Sequence, residues 1–452
     1  MGKYISEENS KFIKRAFALA LPITLQGLLN NVLNVVDTIM IGALGETALA
    51  SVGLANKVFF VYSLLLFGIA SGSTVLTAQY WGNKDIPSAR KVLGMSLCLS
   101  VSSSLVFFIG GAFFPLKVMR IFTPSTDTIL SGAGYLSIVA WSYVFQAVSQ
   151  CYILFQRAIN RVKLTVSVTV IAIFINIALN YIFINGKLGF PPMGVKGAAL
   201  GTLVARCFEC VVIVFVIYWN KGPGAARIRE LLAFNKNFIN RYFRTVTPVV
   251  LNEFLWGLGV TLYALAYGRM GNTAVATMTV TQIVEEMFTA AFMGLSSATG
   301  VILGNEIGAG RFNDAEKHGR QFLRFNTVFC IILAALLFAV RPAISGLFNI
   351  TPEITDNVNR TLLVFCLYMP FKMTNLVNIV GVLRSGGDTK YCLFLDFTGV
   401  WFIGVPMAFL GGLFFKLPIY YVYAMVLGEE IYKTLLGFFR YKSKKWLRKI
   451  VE

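Results

Sequence analysis

Long apolar segments recur from one end of this 452-residue chain to the other, with short polar stretches between them. An α-helix needs about 20 mostly apolar residues to cross a bilayer, and twelve segments reach that length. Charged residues make up only 13% of the chain, whereas a soluble globular protein has about 25%. The sequence therefore predicts an all-α polytopic membrane protein with twelve transmembrane helices. The predicted spans are residues 16–41, 48–79, 92–115, 131–155, 165–186, 197–219, 246–268, 274–304, 321–341, 358–382, 391–415 and 419–439.

Lysine and arginine residues orient these spans. Of the 40 in the chain, 28 lie before span one, in or beside the even-numbered loops, or in the C-terminal tail, while eight lie in or beside the odd-numbered loops. Cytoplasmic loops carry the excess of these residues, so both termini are predicted to be cytoplasmic in a protein of the cell membrane. Most of the net charge of +19 comes from the excess of lysine and arginine in the predicted cytoplasmic segments. These charges are scattered over many loops, so no nucleic-acid partner is predicted.

The two halves of the chain repeat each other. One constant shift in numbering, the shift that places Pro22 on Pro248, aligns spans one and two with spans seven and eight without gaps. We call it the repeat shift. Six spans per repeat is an even number, so both halves have the same orientation, and the pseudo-twofold axis that relates them is predicted to run along the membrane normal. The aligned pairs also include Gly42 and Gly268, Gly45 and Gly271, Ala48 and Ala274, Gly68 and Gly294, and Gly82 and Gly308.

The repeat also predicts the domains. Residues 1–219 form an N-lobe with helices one to six, and residues 245–440 form a C-lobe with helices seven to twelve. Residues 220–244 are the longest basic loop and are predicted to be a cytoplasmic linker. The basic tail, residues 441–452, contains a tryptophan and predicts an anchor to anionic lipid. Two six-helix lobes with a cleft between them are typical of a transporter that rocks between two states.

Residue types that enzymes and metal sites use are scarce. His318 is the single histidine of the chain, which excludes His-based triads, HExxH zinc sites and His-ligated cofactors. The seven cysteines lie within or at the ends of apolar segments, where cysteine is typical of a small buried residue. We therefore expect a protein that is not an enzyme and that has no cofactor and no bound metal besides a coupling ion.

Three stretches carry a resemblance to a known family. They are "ALPITLQGLLNNVLNVVDTIMIGALGETALASVGLANKVFF" in spans one and two, "TPVVLNEFLWGLG" at the start of span seven, and "GVLRSGGDTKYCLFLDF" before and in span eleven. In these stretches, and in its repeat and loop positions over essentially its whole length, the chain resembles the multidrug and toxic compound extrusion (MATE) family. The resemblance implies an antiporter, coupled to protons or sodium, that exports organic and often cationic compounds.

An aspartate, Asp37, interrupts the apolar first span. A charge at the bilayer centre costs at least about 2.5–3.5 kcal/mol, so such a side chain must face protein or a wet cavity. Helical spacing places Asp37 on one stripe with Gln26, Asn30 and Asn34. We predict that this stripe lines a hydrated substrate pocket in the N-lobe. Polar contacts between helices are the alternative interpretation.

Span five adds two amides, Asn176 and Asn180, which are four residues apart. The resemblance implies an aspartate at the position of Asn180 in proton-coupled relatives, and an amide does not titrate. This difference weakens the case for a two-carboxylate proton relay, and it leaves Asp37 as the main protonatable group of the outer N-lobe.

The C-lobe face that matches the Asp37 stripe is largely aromatic. The repeat shift places Trp256 and Tyr263 on this stripe. Aromatic faces attract cations, so a carboxylate that faces them across a cleft suits a lipophilic cation. We predict that these two residues belong to the substrate-binding region, with ordinary packing within the lobe as the alternative.

The C-lobe also contains its own intramembrane polar residues. The resemblance implies carboxylates in this lobe for relatives that use sodium, and Glu253 and Asp396 are the candidates for such a site. Gln282 and Glu285 on span eight complete the predicted substrate- and ion-binding residues. A salt bridge within the protein is the alternative for each of the acids.

Several basic residues inside the spans need partners. Lys57 in span two is predicted to lie within reach of Asp37, and Lys372 in span ten is a potential counter-charge for a C-lobe acid. Arg206 and Glu209, three residues apart on span six, are most simply a structural ion pair.

Three other functions compete with the antiporter. A lipid-linked oligosaccharide flippase of the same superfamily needs a basic cleft, and Lys57, Lys372 and Arg206 keep this interpretation open. A membrane-embedded enzyme needs clustered His, Asp or Cys residues, and a channel needs an open pore where this chain predicts a closed-off site. For the preferred antiporter we expect small organic substrates and membrane lipids as partners, and a monomer.

Overall fold

The computed structural model describes residues 2–346, 348 and 350–451, with side chains from residue 12 onwards. The predicted domain limits at residues 1 and 452 lie outside this description. The described helices are α1 (Gly2–Gly42), α2 (Glu46–Gly82), α3 (Ile86–Phe113), α4 (Pro115–Arg120), α5 (Thr126–Val139), α6 (Trp141–Ala158), α7 (Val162–Asn185), α8 (Val195–Trp219), α9 (Ile228–Leu231), α10 (Lys236–Met270), α11 (Asn272–Gly308), α12 (Phe312–Gly346), α13 (Pro352–Asn375), α14 (Thr389–Gly399), α15 (Val405–Phe409) and α16 (Ile419–Lys442). Three π-helical segments, Leu376–Leu383, Val400–Gly404 and Leu410–Phe414, continue α13, α14 and α15.

Most of these helices are built to cross a membrane. Among the described residues, ten spans are long and apolar enough, and α5 with α6 makes an eleventh if their 45° bend is a break within one span. The last predicted span, α16, is outside this count because Glu429, Glu430 and Lys433 lie in its middle. Large apolar side chains such as Ile331 and Ile332 on α12 are exposed by 57% and 59%, as expected for residues that face lipid. The predicted all-α polytopic membrane protein is confirmed.

The chain divides into two compact units. The N-unit is Leu25–Val250, and the C-unit is Met1–Thr24 together with Leu251–Glu452. Both α1 and α10 therefore contribute residues to two units. The units differ in this respect from the predicted lobes, which end at residue 219 and begin again at residue 245.

Each unit contains the same close approach between helices. In the N-unit, a Cβ on Gly68 would lie 2.8 Å from the Cα of Val250. In the C-unit, a Cβ on Gly294 would lie 2.1 Å from Oγ1 of Thr24. The repeat shift relates Gly68 to Gly294, and it also relates Thr24 to Val250. The repeat seen in the sequence is thus a repeat of packing, and it explains why α1 and α10 each begin in one unit and end in the other.

The turns that precede α2 and α11 follow the same repeat. Gly45 has φ 110° and Gly271 has φ 112°, a conformation that a side chain disfavours. Glycine is therefore required at the same place in both halves of the sequence.

The C-terminal tail packs onto the C-unit. Trp446 is fully buried with Leu303, Ile307 and Leu383, among others. Its ring stacks on Tyr441 with centroids 5.7 Å apart. The predicted lipid anchor is therefore wrong for Trp446, because its ring fills the end of the C-unit. The basic residues Lys442, Lys444, Lys445, Arg448 and Lys449 are exposed around it.

Candidate functional site

A cavity of about 570 Å³ lies inside the N-unit. It is bounded by α1, α2, α5, α6, α7 and α8. Its size falls within the range of small-molecule sites, about 300–1,000 Å³. Its polar lining consists of Asn34, Asp37, Thr38, Asn56, Ser63, Ser142, Thr169, Asn176, Asn180, Thr202 and Arg206, and its aromatic lining consists of Phe59, Phe60, Tyr135 and Tyr143.

Asp37 is the carboxylate of this cavity. Its Oδ1 accepts a hydrogen bond of 2.9 Å from Nδ2 of Asn180. Within the described part of the chain it forms no ion pair, so its negative charge is not neutralised by a fixed cation in contact with it. A buried charge without such a partner is costly, and a cavity that admits water or a bound cation removes much of that cost.

A ladder of hydrogen bonds leads away from Asp37. Asn180 also donates to Oδ1 of Asn176 at 3.2 Å, and Asn176 donates to the hydroxyl of Thr202 at 3.3 Å. Thr202 in turn donates to the carbonyl oxygen of Ala198 at 3.0 Å. The ladder fixes the amides in one orientation, so that the carboxylate of Asp37 receives an N–H from a positioned donor.

Gly201 makes room for this ladder. A Cβ on Gly201 would lie 2.1 Å from Oδ1 of Asn180. Asn180 is only 1% exposed, and its Oδ1 has no hydrogen-bond partner among the described residues. The close approach of α8 to α7 at a glycine therefore leaves space for the buried amide oxygen of Asn180, while Nδ2 of the same amide donates to Asp37.

The predicted first-span stripe is divided by the structure. Asn34 and Asp37 line the cavity, whereas Gln26 and Asn30 do not. Gln26 is buried and accepts a hydrogen bond of 2.8 Å from Nη2 of Arg157. Its role is polar contact between helices, which was the alternative interpretation for the stripe.

Lys57 does not neutralise Asp37. The side chain is exposed, lies outside the cavity lining and has no ion pair with Asp37 in the described part of the chain. A different basic residue, Arg206, lines the cavity and pairs with Glu209, as Nη1 lies 3.1 Å from Oε2.

In the C-unit, Glu253 is paired with a buried arginine. Its Oε1 lies 2.9 Å from Nη1 of Arg384, and the two side chains are 13% and 3% exposed. The neighbouring residue, Asn252, donates a hydrogen bond of 2.9 Å to Oδ2 of Asp396. Asp396 on α14 thus contacts the residue that precedes Glu253 on α10, and each of the two predicted sodium-site carboxylates has an internal partner.

Asp396 on α14 belongs to a larger charged cluster, whose other members lie on α16. The ammonium of Lys433 lies 3.9 Å from Asp396 and 3.2 Å from each of Glu429 and Glu430. Tyr263 donates a hydrogen bond of 2.7 Å to Oε2 of Glu429. Three carboxylates around one ammonium make this the densest buried charge among the described residues. We name Asp396, Glu429, Glu430 and Lys433 the α16 cluster.

Gly399 at the end of α14 and Gly404 at the end of the π-helical segment that follows make space for this cluster. A Cβ on Gly404 would lie 2.0 Å from the hydroxyl of Tyr263 and 2.5 Å from Oε2 of Glu429. A Cβ on Gly399 would lie 3.1 Å from the Lys433 side chain. Such interruptions of an α-helix occur frequently at functional sites.

No ion pair joins the α16 cluster to the remaining predicted C-lobe residues among those that the structure describes. Lys372 forms an ion pair with Glu285, and Tyr423 donates a hydrogen bond of 3.0 Å to the same carboxylate. In the described part of the chain, Lys372 is thus a counter-charge for Glu285 and forms no ion pair with Glu253 or Asp396. Gln282 and Trp256 are exposed at the surface of the C-unit.

Comparison with known proteins decides the family. The family model described as MatE matches residues 22–182 and 248–410, the two halves of the repeat. The chain belongs to the MATE family.

Full-length relatives of this MATE protein are distant in sequence. The protein named "Uncharacterized transporter YisQ" of Bacillus subtilis (strain 168) is 22% identical over 438 residues, 96% of this chain and 95% of that protein. The "Multidrug resistance protein MdtK" of Yersinia pestis (strain Pestoides F) is 26% identical over 433 residues, 91% of this chain and 89% of that protein.

A solved MATE structure confirms the fold. The Vibrio cholerae MATE transporter VcmN, crystallised as a mutant, matches with a TM-score of 0.88 and 16% identity over 97% of this chain and 99% of that chain. The predicted fold class with two six-helix lobes is confirmed, and so is the prediction of a multi-pass membrane transporter that is not an enzyme.

Sequence reasoning missed two groups of residues in this MATE protein. The aromatic walls of the Asp37 cavity come from α2, α5 and α6, whereas the sequence suggested Trp256 and Tyr263 from the other half. The α16 cluster was missed apart from Asp396, although the "EEIYK" stretch of the last span contains three of its charges. Charged residues inside an apolar helix are expected to be functional or paired, so this stretch could have revealed the cluster.

Proposed function

We propose that this MATE protein is a cation-coupled antiporter that exports lipophilic, often cationic, organic compounds across the cell membrane. Membership of the family supports the transport function, and a full-length relative that is named a multidrug resistance protein supports the substrate class. The cavity adds a carboxylate and four aromatic side chains, a lining that suits an organic cation through charge pairing and cation–π attraction.

The observation that carries the proposal is the state of Asp37. It lies in a cavity of drug-like size, holds a hydrogen bond from Asn180 and has no ion pair in the described part of the chain. A carboxylate of this kind binds either the coupling cation or a cationic substrate. Occupancy by one ligand then disfavours the other, so both bias the same equilibrium between outward- and inward-open states.

The coupling ion is a proton or sodium, and we place its main site at Asp37. The alternative sodium site at Glu253 and Asp396 is less supported, because an internal cation already lies beside each acid, Arg384 beside Glu253 and Lys433 beside Asp396. Among the described residues, no three His, Cys, Asp or Glu side chains are placed to hold a metal ion together. In this proposal, Glu253 and Asp396 contribute to the stability of the C-unit and to its change between the outward- and inward-open states.

The flippase of the same superfamily has one observation in its favour, the position of Arg206 in the cavity. A pyrophosphate needs several cations, whereas Arg206 is a single cation in the described cavity lining and shares that lining with Asp37. We therefore favour export of organic cations.

The proposal is tested by transport in proteoliposomes, with a sodium gradient and a pH gradient imposed separately. We expect one of the two gradients to drive uphill movement of a lipophilic cationic dye. Vesicles without the protein provide the background. Dye movement that equals this background under both gradients would contradict the proposed function.

The proposed orientation, with both termini cytoplasmic, is tested by cysteine labelling. Ile228 on α9 is 75% exposed, and Leu188 in the loop between α7 and α8 is 82% exposed. In intact cells, we expect an impermeant thiol reagent to label a Leu188→Cys variant and not an Ile228→Cys variant, with the unmodified chain as background. The reverse pattern would show that the orientation is inverted.

A further inference from the structure

Arg206 on α8 shares the N-unit cavity with Asp37. Its side chain is 28% exposed, whereas its partner Glu209 is 1% exposed. Glu209 lies outside the cavity lining, and its Oε1 accepts a second hydrogen bond of 2.6 Å from Thr169. The buried carboxylate of Glu209, which Thr169 holds in place, therefore positions the guanidinium of Arg206 at the cavity wall.

The pair leaves most of the guanidinium available. An arginine has five N–H donors in a rigid fork, and in the described part of the chain Arg206 forms one hydrogen bond, from Nη1 to Glu209. An ion pair that served only to join residues of one helix would not require a place in the cavity wall. The remaining donors instead provide a site for an oxygen acceptor of a bound molecule.

Asp37 and Arg206 stand at the two ends of one polar wall. The hydrogen-bond ladder runs from Asp37 through Asn180 and Asn176 to Thr202. Arg206 follows Thr202 by four residues on α8, which places it about 6 Å further along the helix. The wall thus offers an anionic group at one end, amides and a hydroxyl in the middle, and a cationic fork at the other end.

We infer that the cavity is suited to organic substrates that carry an anionic group as well as a cationic group. Asp37 binds the cationic end, and Arg206 binds a carboxylate or a similar oxygen acceptor at the other end. Since a guanidinium matches a carboxylate in shape as well as in charge, Arg206 makes the site selective for zwitterions over simple cations of the same shape. This inference rests on the proposed function and names the substrate class of the same cavity.

The test compares two dyes that differ in one group. A rhodamine with a free carboxylate is a zwitterion, and its methyl ester is a cation of nearly the same shape. Affinities for the purified protein are measured by fluorescence polarisation, and the readout is the ratio of the two affinities. We expect Arg206→Gln to shift this ratio about tenfold towards the ester, as the loss of a charged hydrogen bond predicts. A ratio within about twofold of the wild-type value would overturn the inference, even if both affinities fall.

Two further variants separate the inference from changes in folding. Arg206→Gln leaves Glu209 buried without its cation, so the double variant Arg206→Gln with Glu209→Gln removes both charges and should show the same shift in ratio. Arg206→Lys keeps the charge and loses the fork, and we expect it to shift the ratio by less than Arg206→Gln. A double variant with the wild-type ratio, or a lysine variant with a shift as large as that of glutamine, would contradict a role for the guanidinium.

The outcome is distinguishable from failure of the proposed function. If the wild-type protein moves neither dye in proteoliposomes, the antiporter proposal fails. If it moves the ester under an ion gradient and the affinity ratio does not respond to Arg206, the antiporter proposal stands and the inference on zwitterions fails.

Discussion

Cells that express the Asp37→Asn variant are expected to export a lipophilic cationic dye no faster than cells without the protein. The substitution removes the negative charge of the N-unit cavity and retains the size of the side chain. A charge-assisted interaction contributes about 1.5–3 kcal/mol, so loss of the carboxylate weakens binding of an organic cation roughly tenfold or more. The same change removes the group that we assign to the coupling ion.

The matched control is Asp127→Asn. Asp127 lies in the first turn of α5, is exposed and is outside the cavity lining. Both variants should reach the membrane at the wild-type level, because Asp37→Asn removes an intramembrane charge, which lowers the cost of insertion, and Asp127 is exposed in the first turn of α5. Undiminished export by Asp37→Asn at normal expression, with Asp127→Asn in parallel, would remove Asp37 from the mechanism.

Replacing Lys433 with methionine is expected to lower the thermal stability of the purified protein substantially. The ammonium lies 3.2 Å from Glu429 and Glu430 and 3.9 Å from Asp396, and it is 4% exposed. Removing one partner of a buried ion pair costs about 3–5 kcal/mol, because the other charges stay buried without compensation. The midpoint of thermal unfolding in detergent should therefore fall by several degrees.

A second variant shows whether the uncompensated acids cause this loss. Glu429→Gln and Glu430→Gln, added to Lys433→Met, should restore part of the unfolding temperature. Lys445→Met is the control, since Lys445 is exposed in the tail and such substitutions usually stay within about 0.5 kcal/mol. An unfolding midpoint of Lys433→Met that equals that of Lys445→Met would show that the α16 cluster does not depend on its ammonium.

Much of the fold could be predicted from the sequence. In lipid, every backbone N–H and C=O group must form a hydrogen bond within the protein, and few types of structure meet this requirement. The described helices cover the predicted spans, and α5 and α6 together cover the fourth. The repeat shift also aligned Gly68 with Gly294, and the structure shows that both glycines lie at a close approach between helices. The division of α1 and α10 between the two units was not predicted. The two copies of the repeat have the same sequence pattern, so this pattern does not show which part of a helix packs with which copy.

The candidate site was predictable where a polar residue had no place in lipid. Asp37, Asn34, Asn176 and Asn180 were found in this way, and all four line the cavity. The aromatic walls were not found, since phenylalanine and tyrosine in an apolar span give the same pattern whether they face lipid, the core or a cavity. Arg206 was interpreted as a structural pair, and helical spacing alone does not show that one side of a pair opens to a cavity.

We propose that substrate and coupling ion compete at Asp37, and equilibrium binding to the purified protein measures this competition. The dissociation constant of a lipophilic cationic dye is measured while sodium concentration and pH are varied separately, for the wild type and for Asp37→Asn. We predict that one of the two ions raises the dye's dissociation constant for the wild type. The increase should be proportional to the ion concentration once that concentration exceeds the ion's own dissociation constant. We also predict that Asp37→Asn abolishes this dependence. A wild-type dissociation constant that is independent of both sodium and pH, or an unchanged dependence in Asp37→Asn, would contradict it.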